Sequence, residues 1–319
     1  MEFTDFTKLV RDEVLRCIGD GYQVKLKNVR KNNGVVLTGL VIVQDESLIS
    51  PTVYLENYYE AYASGTATLT DIVVNVVNTY NRNKVSQYVN VRYLLNYENV
   101  KKRIVYKLIN AEKNKGLLED VPHKDFLDLS IVFQCLVSLE EIGEEALILI
   151  NNTHSGIWNV SVEELYQAAM ENTHRLCPYE IKDITDVLCE IMVEENPEEF
   201  SCNDFMAQFS ESIPLYALSN KSRVNGAACM LYPNLIQDFA DIAGSSLYII
   251  PSSIHELLLL PSKYAERSNE IKDMIKMVND TQVKTEEVLS YSLYFYDREK
   301  RRDCYRITDY KSGYIRQLK

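Results

Sequence analysis

The chain has 319 residues, 46% hydrophobic and 25% charged, enough for two ordinary domains whose cores need neither metal nor cross-link. A formal charge of −12 argues against a general nucleic-acid surface, where basic side chains gain affinity by displacing counterions. No apolar run approaches the roughly 20 residues that span a bilayer, and the acidic start Met1-Glu2-Phe3-Thr4-Asp5 lacks the apolar stretch of an export signal.

Residues 4–18 carry Phe6, Leu9, Val10, Val14 and Cys17 at helical spacing. Tyr22, Val24 and Leu26 then alternate with polar residues as a strand does. Asn33-Gly34 supplies the turn, because its central positions need positive φ, and residues 35–43 return as the second strand. Pro51-Thr52-Val53-Tyr54 leads into a short helix with Leu55, Tyr58, Tyr59 and Tyr62 on one face, closed by Gly65. Thr68 and Asp71 predict a cap for a third helix with the apolar stripe Leu69, Ile72, Val73, Val76, Val77 and Tyr80. That stripe needs a sheet to cover, and the hairpin provides one. Residues 1–83 are therefore expected to close a small unit, with the polar stretch 81–84 as the boundary.

The remainder, 84–319, reads as a larger domain. Helices are expected near 91–100, 111–118, 162–172 (with Ser161 and Glu164 as a capping box), 181–193, from Pro233 to Gly244, and 265–278. Strands are expected at 103–109, 126–137, 146–151, 215–219, 247–250, 257–260, 290–296 and 304–308. Residues 152–156 and the acidic 194–203 read as loops. Two strand–Asn–polar loop–helix units, from Asn151 to Ala168 and from Asn220 to Ala240, suggest a loose duplication; chance similarity is the competing reading.

The seven cysteines, Cys17, Cys135, Cys177, Cys189, Cys202, Cys229 and Cys304, are odd in number and contain no CxxC pair. They predict free thiols in a reducing, cytoplasmic setting. The 22 tyrosines fall mostly within apolar periodicity and read as packing.

Candidate chemistry gathers at strand ends. Pro251-Ser252-Ser253-Ile254-His255-Glu256 places hydroxyl, imidazole and carboxylate together, the components of an activated nucleophile. Ser252, Ser253, His255 and Glu256 are the catalytic candidates. The competing reading is a turn whose serines accept backbone N–H bonds, and no G-x-S-x-G elbow is present. Lys221, Ser222, Arg223, Asn225 and Gly226 form a locally basic loop where an anion could bind, although the P-loop pattern is absent; a solvated connection is the alternative. If the duplication is real, His154, Trp158, Lys221, Arg223 and His255 could share one cleft, and with Asn225 they complete the ligand-binding candidates.

No metal site is expected: His123, His154, His174 and His255 are dispersed and none lies in H-E-x-x-H. Asp125 and Asp128 read as the start of a strand, and the Arg298–Arg302 charges, interleaved with acids, read as a solvated turn.

Several segments also resemble a known family. They are Lys31-Asn32-Asn33-Gly34-Val35, Pro51 through Tyr59, Val121 through Leu129, Trp158, Glu163-Glu164-Leu165-Tyr166 with Asn172-Thr173, and Asn225-Gly226-Ala227-Ala228 through the 251–256 block. Together they cover nearly the whole chain and are similar to a bacterial family, frequent in gut anaerobes, catalogued as domain of unknown function 5688. The resemblance implies a bacterial, cytoplasmic protein and carries no catalytic residue, ligand or partner.

The expectation is an α+β fold with a mixed or antiparallel sheet core, flanking helices and a small N-terminal helix–hairpin–helix unit. No cofactor is expected. The partner is a protein or a small molecule, with neither nucleic acid nor membrane. The leading functional reading is a non-catalytic binding or regulatory module. The alternative is an enzyme or ligand-binding protein for a phosphorylated or acyl small molecule, built on the 220–226 loop and the 251–256 block.

Overall fold

A computed structural model describes residues 1–44, 50–83, 94–139, 144–195, 214–264, 268–300, 305–308 and 315–316. The expected boundary at 81–84, the loop at 194–203, the starts of the helices at 91 and 265, and Cys202 and Cys304 lie wholly or partly outside them. The fold is α+β with antiparallel sheets. Its chain divides into two compact units, Met1–Leu95 with Val137–Ala146, and Asn96–Leu136 with Leu147–Lys319.

The first unit follows its sequence pattern closely. Helix α1 (Phe3–Ile18) precedes strands β1 (Tyr22–Arg30) and β2 (Val36–Gln44), which pair antiparallel across a turn with Asn33 at φ 58° and Gly34 at φ 72°. Strand β3 (Thr52–Tyr54) adds to β2, and helices α2 (Glu56–Ala63) and α3 (Leu69–Asn83) follow. At the start of α3, the Thr68 N–H and hydroxyl both donate to Asp71, holding that carboxyl below the usual range. Phe6, Val10 and Val14 of α1 and Ile72, Val73, Val76 and Tyr80 of α3 pack with Val24, Leu40, Ile42 and Val53 of the sheet. Each such side chain contributes about 1.5–3 kcal/mol on burial.

The second unit is layered around two sheets. Strands β4 (Ile104–Asn110), β5 (His123–Phe126), β6 (Leu129–Leu139) and β7 (Glu144–Leu149) form a four-stranded sheet in which β6 pairs with the other three, the end of β6 from Val137 and the start of β7 to Ala146 counting with the first unit. Helices α4 (Asn152–Trp158) and α5 (Val162–Leu176) follow, then β8 (Tyr179–Asp183), α6 (Ile184–Glu195) and β9 (Tyr216–Asn220). A 3-10 segment (Gly226–Leu231) leads to α7 (Leu235–Ala243), the hairpin β10 (Leu247–Pro251) and β11 (Leu257–Pro261), and α8 (Ser268–Thr281). Strands β12 (Tyr294–Tyr296), β13 (Tyr305–Thr308) and β14 (Ile315–Arg316) complete a seven-stranded sheet in the order β14-β13-β12-β10-β11-β9-β8.

Alternate residues of both sheets enter one core: Ile104, Tyr106 and Leu108; Leu129, Ile131 and Phe133; Leu247 and Ile249; Leu257 and Leu259; Tyr294 and Tyr296. This is the two-residue side-chain period of a strand. Helix α5 and the 3-10 segment bury Leu165, Ala168, Ala169 and Ala227–Met230 in the same core.

Four local expectations are corrected. Residues 126–137 are not one strand, because Leu127 (φ 57°) and Asp128 turn the chain between β5 and β6. Residues 152–156 are helical, since the side chain of Asn151 accepts the His154 N–H and starts α4. Strand β8 runs to Asp183 where a helix was expected, and Asp183 then caps α6 by accepting from Thr185. Residues 111–118 give one helical turn, Lys115–Leu118.

Candidate functional site

The 220–226 loop and the 251–256 block meet at one end of the seven-stranded sheet, because β9 and β11 are neighbours in it. Asn220 closes the first loop: its Oδ1 accepts from the Ser222 hydroxyl (3.0 Å) and the Val224 N–H (3.2 Å), and its amide donates to the Val224 carbonyl (2.7 Å). The N–H groups of Lys221, Arg223, Ala227 and Ala228 donate to backbone carbonyls, and that of Asn225 donates to His255 Nδ1 (3.2 Å). These are the donors an anion would use in a cradle, and they are already engaged. Arg223 is exposed and donates to Glu190 (2.9 Å), which also accepts from Lys182 (2.6 Å). The Lys182 hydrogen bond, helped by Arg223, holds the Glu190 carboxyl below its ordinary range. Lys221 is exposed to solvent.

In the 251–256 turn, Ser252 Oγ donates to Glu256 Oε1 (2.9 Å) and Ser253 Oγ accepts the His255 N–H (3.0 Å). His255 accepts at Nδ1 from the Asn225 backbone, so its remaining proton lies on Nε2. The hydroxyl-to-imidazole bond of an activated nucleophile is not formed in this arrangement. Gly226 lets the loops approach: a Cβ there would lie 2.4 Å from the His255 carbonyl oxygen and 2.7 Å from the Asn220 nitrogen. Asn225, at φ 55°, ties this end to the other sheet through Gln134 (3.0 Å). Between Arg223 and Glu256 there is a cavity of about 20 Å³, room for about one water.

His154 and Trp158 lie on α4. His154 Nδ1 accepts the Asn151 N–H (3.1 Å), and its ring stacks on Trp158 with centroids 5.7 Å apart. Burial lowers the His154 pKa below its usual value.

The roomiest of these places is elsewhere. A cleft of about 570 Å³ opens between β5 and β6, α5, the 3-10 segment with the start of α7, and β12 and β13. None of Lys221, Arg223, His255, His154 or Trp158 lines it. Five of its lining residues are aromatic, Phe126, Tyr166, Tyr232, Tyr296 and Tyr305, with Met170 and Met230 beside them. Tyr305 packs edge-on to Phe126 (5.6 Å) and donates to the Met230 carbonyl (2.9 Å). Tyr232 donates to the Cys177 carbonyl (2.5 Å). At the rim, Lys124 lies 4.2 Å from the centre of the Tyr166 ring and pairs with Glu163 at 3.0 Å. Asp125 offsets its charge, and the amides of Asn234 and Gln237 complete the polar edge.

The sequence reading passed over these rings by assigning the tyrosines to packing. The available signal was tyrosine in place of phenylalanine or leucine at core-facing positions, as at Tyr296 and Tyr305 on short strands, since a buried phenol requires a partner that an alkyl group does not.

Asp128, which follows the cleft residue Leu127 in the chain, joins the two sheets. It accepts hydrogen bonds from Ser290 (2.6 Å), Ser292 (2.9 Å) and Tyr294 (2.7 Å). Burial, with Asp128 adding to it, raises the Tyr294 phenol well above its ordinary pKa.

Among the described residues, no group of three His, Cys, Asp or Glu side chains could hold a metal ion, and no helix is long and apolar enough to cross a membrane. No curated protein and no solved structure matches the chain. Residues 3–298 match the model described as "Family of unknown function (DUF5688)", as the motif resemblance implied, and the chain belongs to that family.

Proposed function

We propose that this protein is a non-catalytic binding module whose second unit holds a small, flat, largely apolar molecule in the aromatic cleft. The carrying observation is the cleft itself. Its volume of about 570 Å³ falls within the roughly 300–1,000 Å³ usual for small-molecule sites, and seven of its sixteen lining residues are aromatic or methionine. Tyrosine and methionine offer polarisable surface to a planar ligand, and the few amides and phenols supply direction. Lys124 already has Glu163 and the Tyr166 ring as partners, so a strongly anionic ligand gains little there.

The alternative, catalysis or phosphate binding at the 220–226 and 251–256 loops, finds less support. Their donors serve each other, and the cavity beside Arg223 has room for about one water. A bacterial cytoplasmic setting accords with the family resemblance and with the free thiols of Cys17, Cys135 and Cys229.

The test is a thermal-shift screen of uncharged aromatic compounds against the wild type and Gln237→Trp, which fills the cleft from its half-buried edge. A ligand at tenfold its Kd stabilises the native state by about 1.4 kcal/mol. Compounds that raise the melting point of the wild type and not of Gln237→Trp support the reading. A screen without hits, or hits indifferent to the substitution, refutes it.

A further inference from the structure

The core beside the cleft contains a polar group with nothing to bond. Tyr106, on β4, is 2% exposed, and among the described residues its hydroxyl has no hydrogen-bond partner. Its backbone N–H is engaged by Thr173 (3.2 Å), which fixes the strand against α5 and with it the position of the ring. Buried phenols are normally paired, because an O–H removed from water without an acceptor destabilises the native state. The surroundings of this one point to the cleft. The Tyr106 ring packs edge-on to Tyr232, with centroids 6.5 Å apart, and Tyr166 and Tyr305 are among the groups near enough to its hydroxyl to act on it electrostatically. Tyr166, Tyr232 and Tyr305 are three of the five rings that line the cleft.

We propose that the Tyr106 hydroxyl is the recognition group of the cleft, and that its natural ligand is a flat, uncharged ring system bearing a hydrogen-bond acceptor, a ring nitrogen or a carbonyl, at its inner end. This rests on the cleft being a small-molecule site. The hydroxyl is closed to solvent, so the acceptor reaches it through a rotamer change in the wall. There Met170 and Met230 supply unbranched side chains that re-pack with little strain. Burial, together with Cys229, Tyr166, Cys177 and Tyr305, raises the phenol pKa far above its ordinary value, so the group remains a donor at every physiological pH. Selectivity follows from the orphaned donor: a ligand with the acceptor relieves it, and an isostere without the acceptor leaves it unpaired.

The experiment compares quinoline with naphthalene, which match in shape and differ by one ring nitrogen, on the wild type and on Tyr106→Phe. Dissociation constants are read by ligand-observed NMR. The expected result is that the preference for quinoline over naphthalene falls about tenfold in Tyr106→Phe, as expected for loss of one hydrogen bond to a buried group. If both probes bind the wild type and their ratio is unchanged in the variant, the role of Tyr106 is overturned and the cleft stands as a site. If neither probe binds the wild type, the small-molecule reading fails and this inference fails with it. A second measurement needs no ligand. Removing an unpartnered hydroxyl leaves no other group unsatisfied, so Tyr106→Phe is expected to melt at or above the wild-type temperature. A drop of more than about 3 °C would mean that the phenol already had a partner in the free protein, and would overturn the proposal.

Discussion

Asp128→Ala gives the sharpest test of how the second unit is held together. The carboxylate receives three hydroxyls from a stretch of chain more than 160 residues away, so it fastens the β5–β6 turn to the segment entering β12. Of the three donors, Ser290 and Tyr294 are completely buried, whereas Ser292 is half-exposed and recovers water when the carboxylate is removed. Leaving a buried hydroxyl without its acceptor costs about 1–3 kcal/mol, so the two orphaned groups predict a loss of about 4 kcal/mol. Trp158 is the only tryptophan and lies in the same unit, so its fluorescence follows that unit through a urea titration. With a slope of about 2.5 kcal/mol per molar, the midpoint is expected to fall by about 1.5 M. Tyr294→Phe removes a single donor and leaves Asp128 its two serines, so a loss of about 1 kcal/mol is expected. An Asp128→Ala midpoint within about 0.3 M of wild type, at unchanged slope, would refute the claim that this carboxylate joins the sheets.

Two further predictions concern the strand ends. Gly226→Ala places a methyl 2.1 Å from Ser219 Oγ and 2.4 Å from the His255 carbonyl, where backbone must move, and is expected to cost about 3 kcal/mol or more in the same titration; a loss under about 1 kcal/mol would contradict the close approach. The His154 pKa is depressed by burial, so the unfolded chain binds the proton more readily than the native one. Its contribution to stability is therefore complete above the unfolded value of about 6.5 and is lost as pH falls from there through the folded value. The same proton would break the Asn151 N–H bond to Nδ1. His154→Gln, which retains an acceptor for that N–H, is expected to flatten the stability profile below about pH 6.5; a profile that keeps the wild-type slope would refute the assignment.

The elements of the first unit were legible because single residues there decide single outcomes. Asn33-Gly34 admits the positive φ that a tight turn demands, and the α3 stripe repeats without interruption. Asp128 marks where the reading stopped. It lies between two apolar runs that look continuous in sequence, and the turn depends on Leu127 at positive φ, a conformation its side chain does not advertise. The turn is held by hydroxyls that a local window cannot include. For the same reason the meeting of Asn225 with His255 was only half visible. The two loops were each marked as sites, but their pairing follows from β9 lying beside β11 in the sheet. The cleft was least legible, because its lining residues come from β5, β6, α5, the 3-10 segment, α7, β12 and β13, which only the finished fold brings together.

The cleft has no local precursor. Phe126, Tyr166, Met230 and Tyr305 leave the ribosome at widely separated moments, and only the last completes the enclosure. A nascent or prematurely terminated chain that lacks β12 and β13 therefore lacks the Tyr296 and Tyr305 wall of the cleft. If the cleft binds as proposed, a compound that occupies it protects only the finished unit from unfolding and proteolysis.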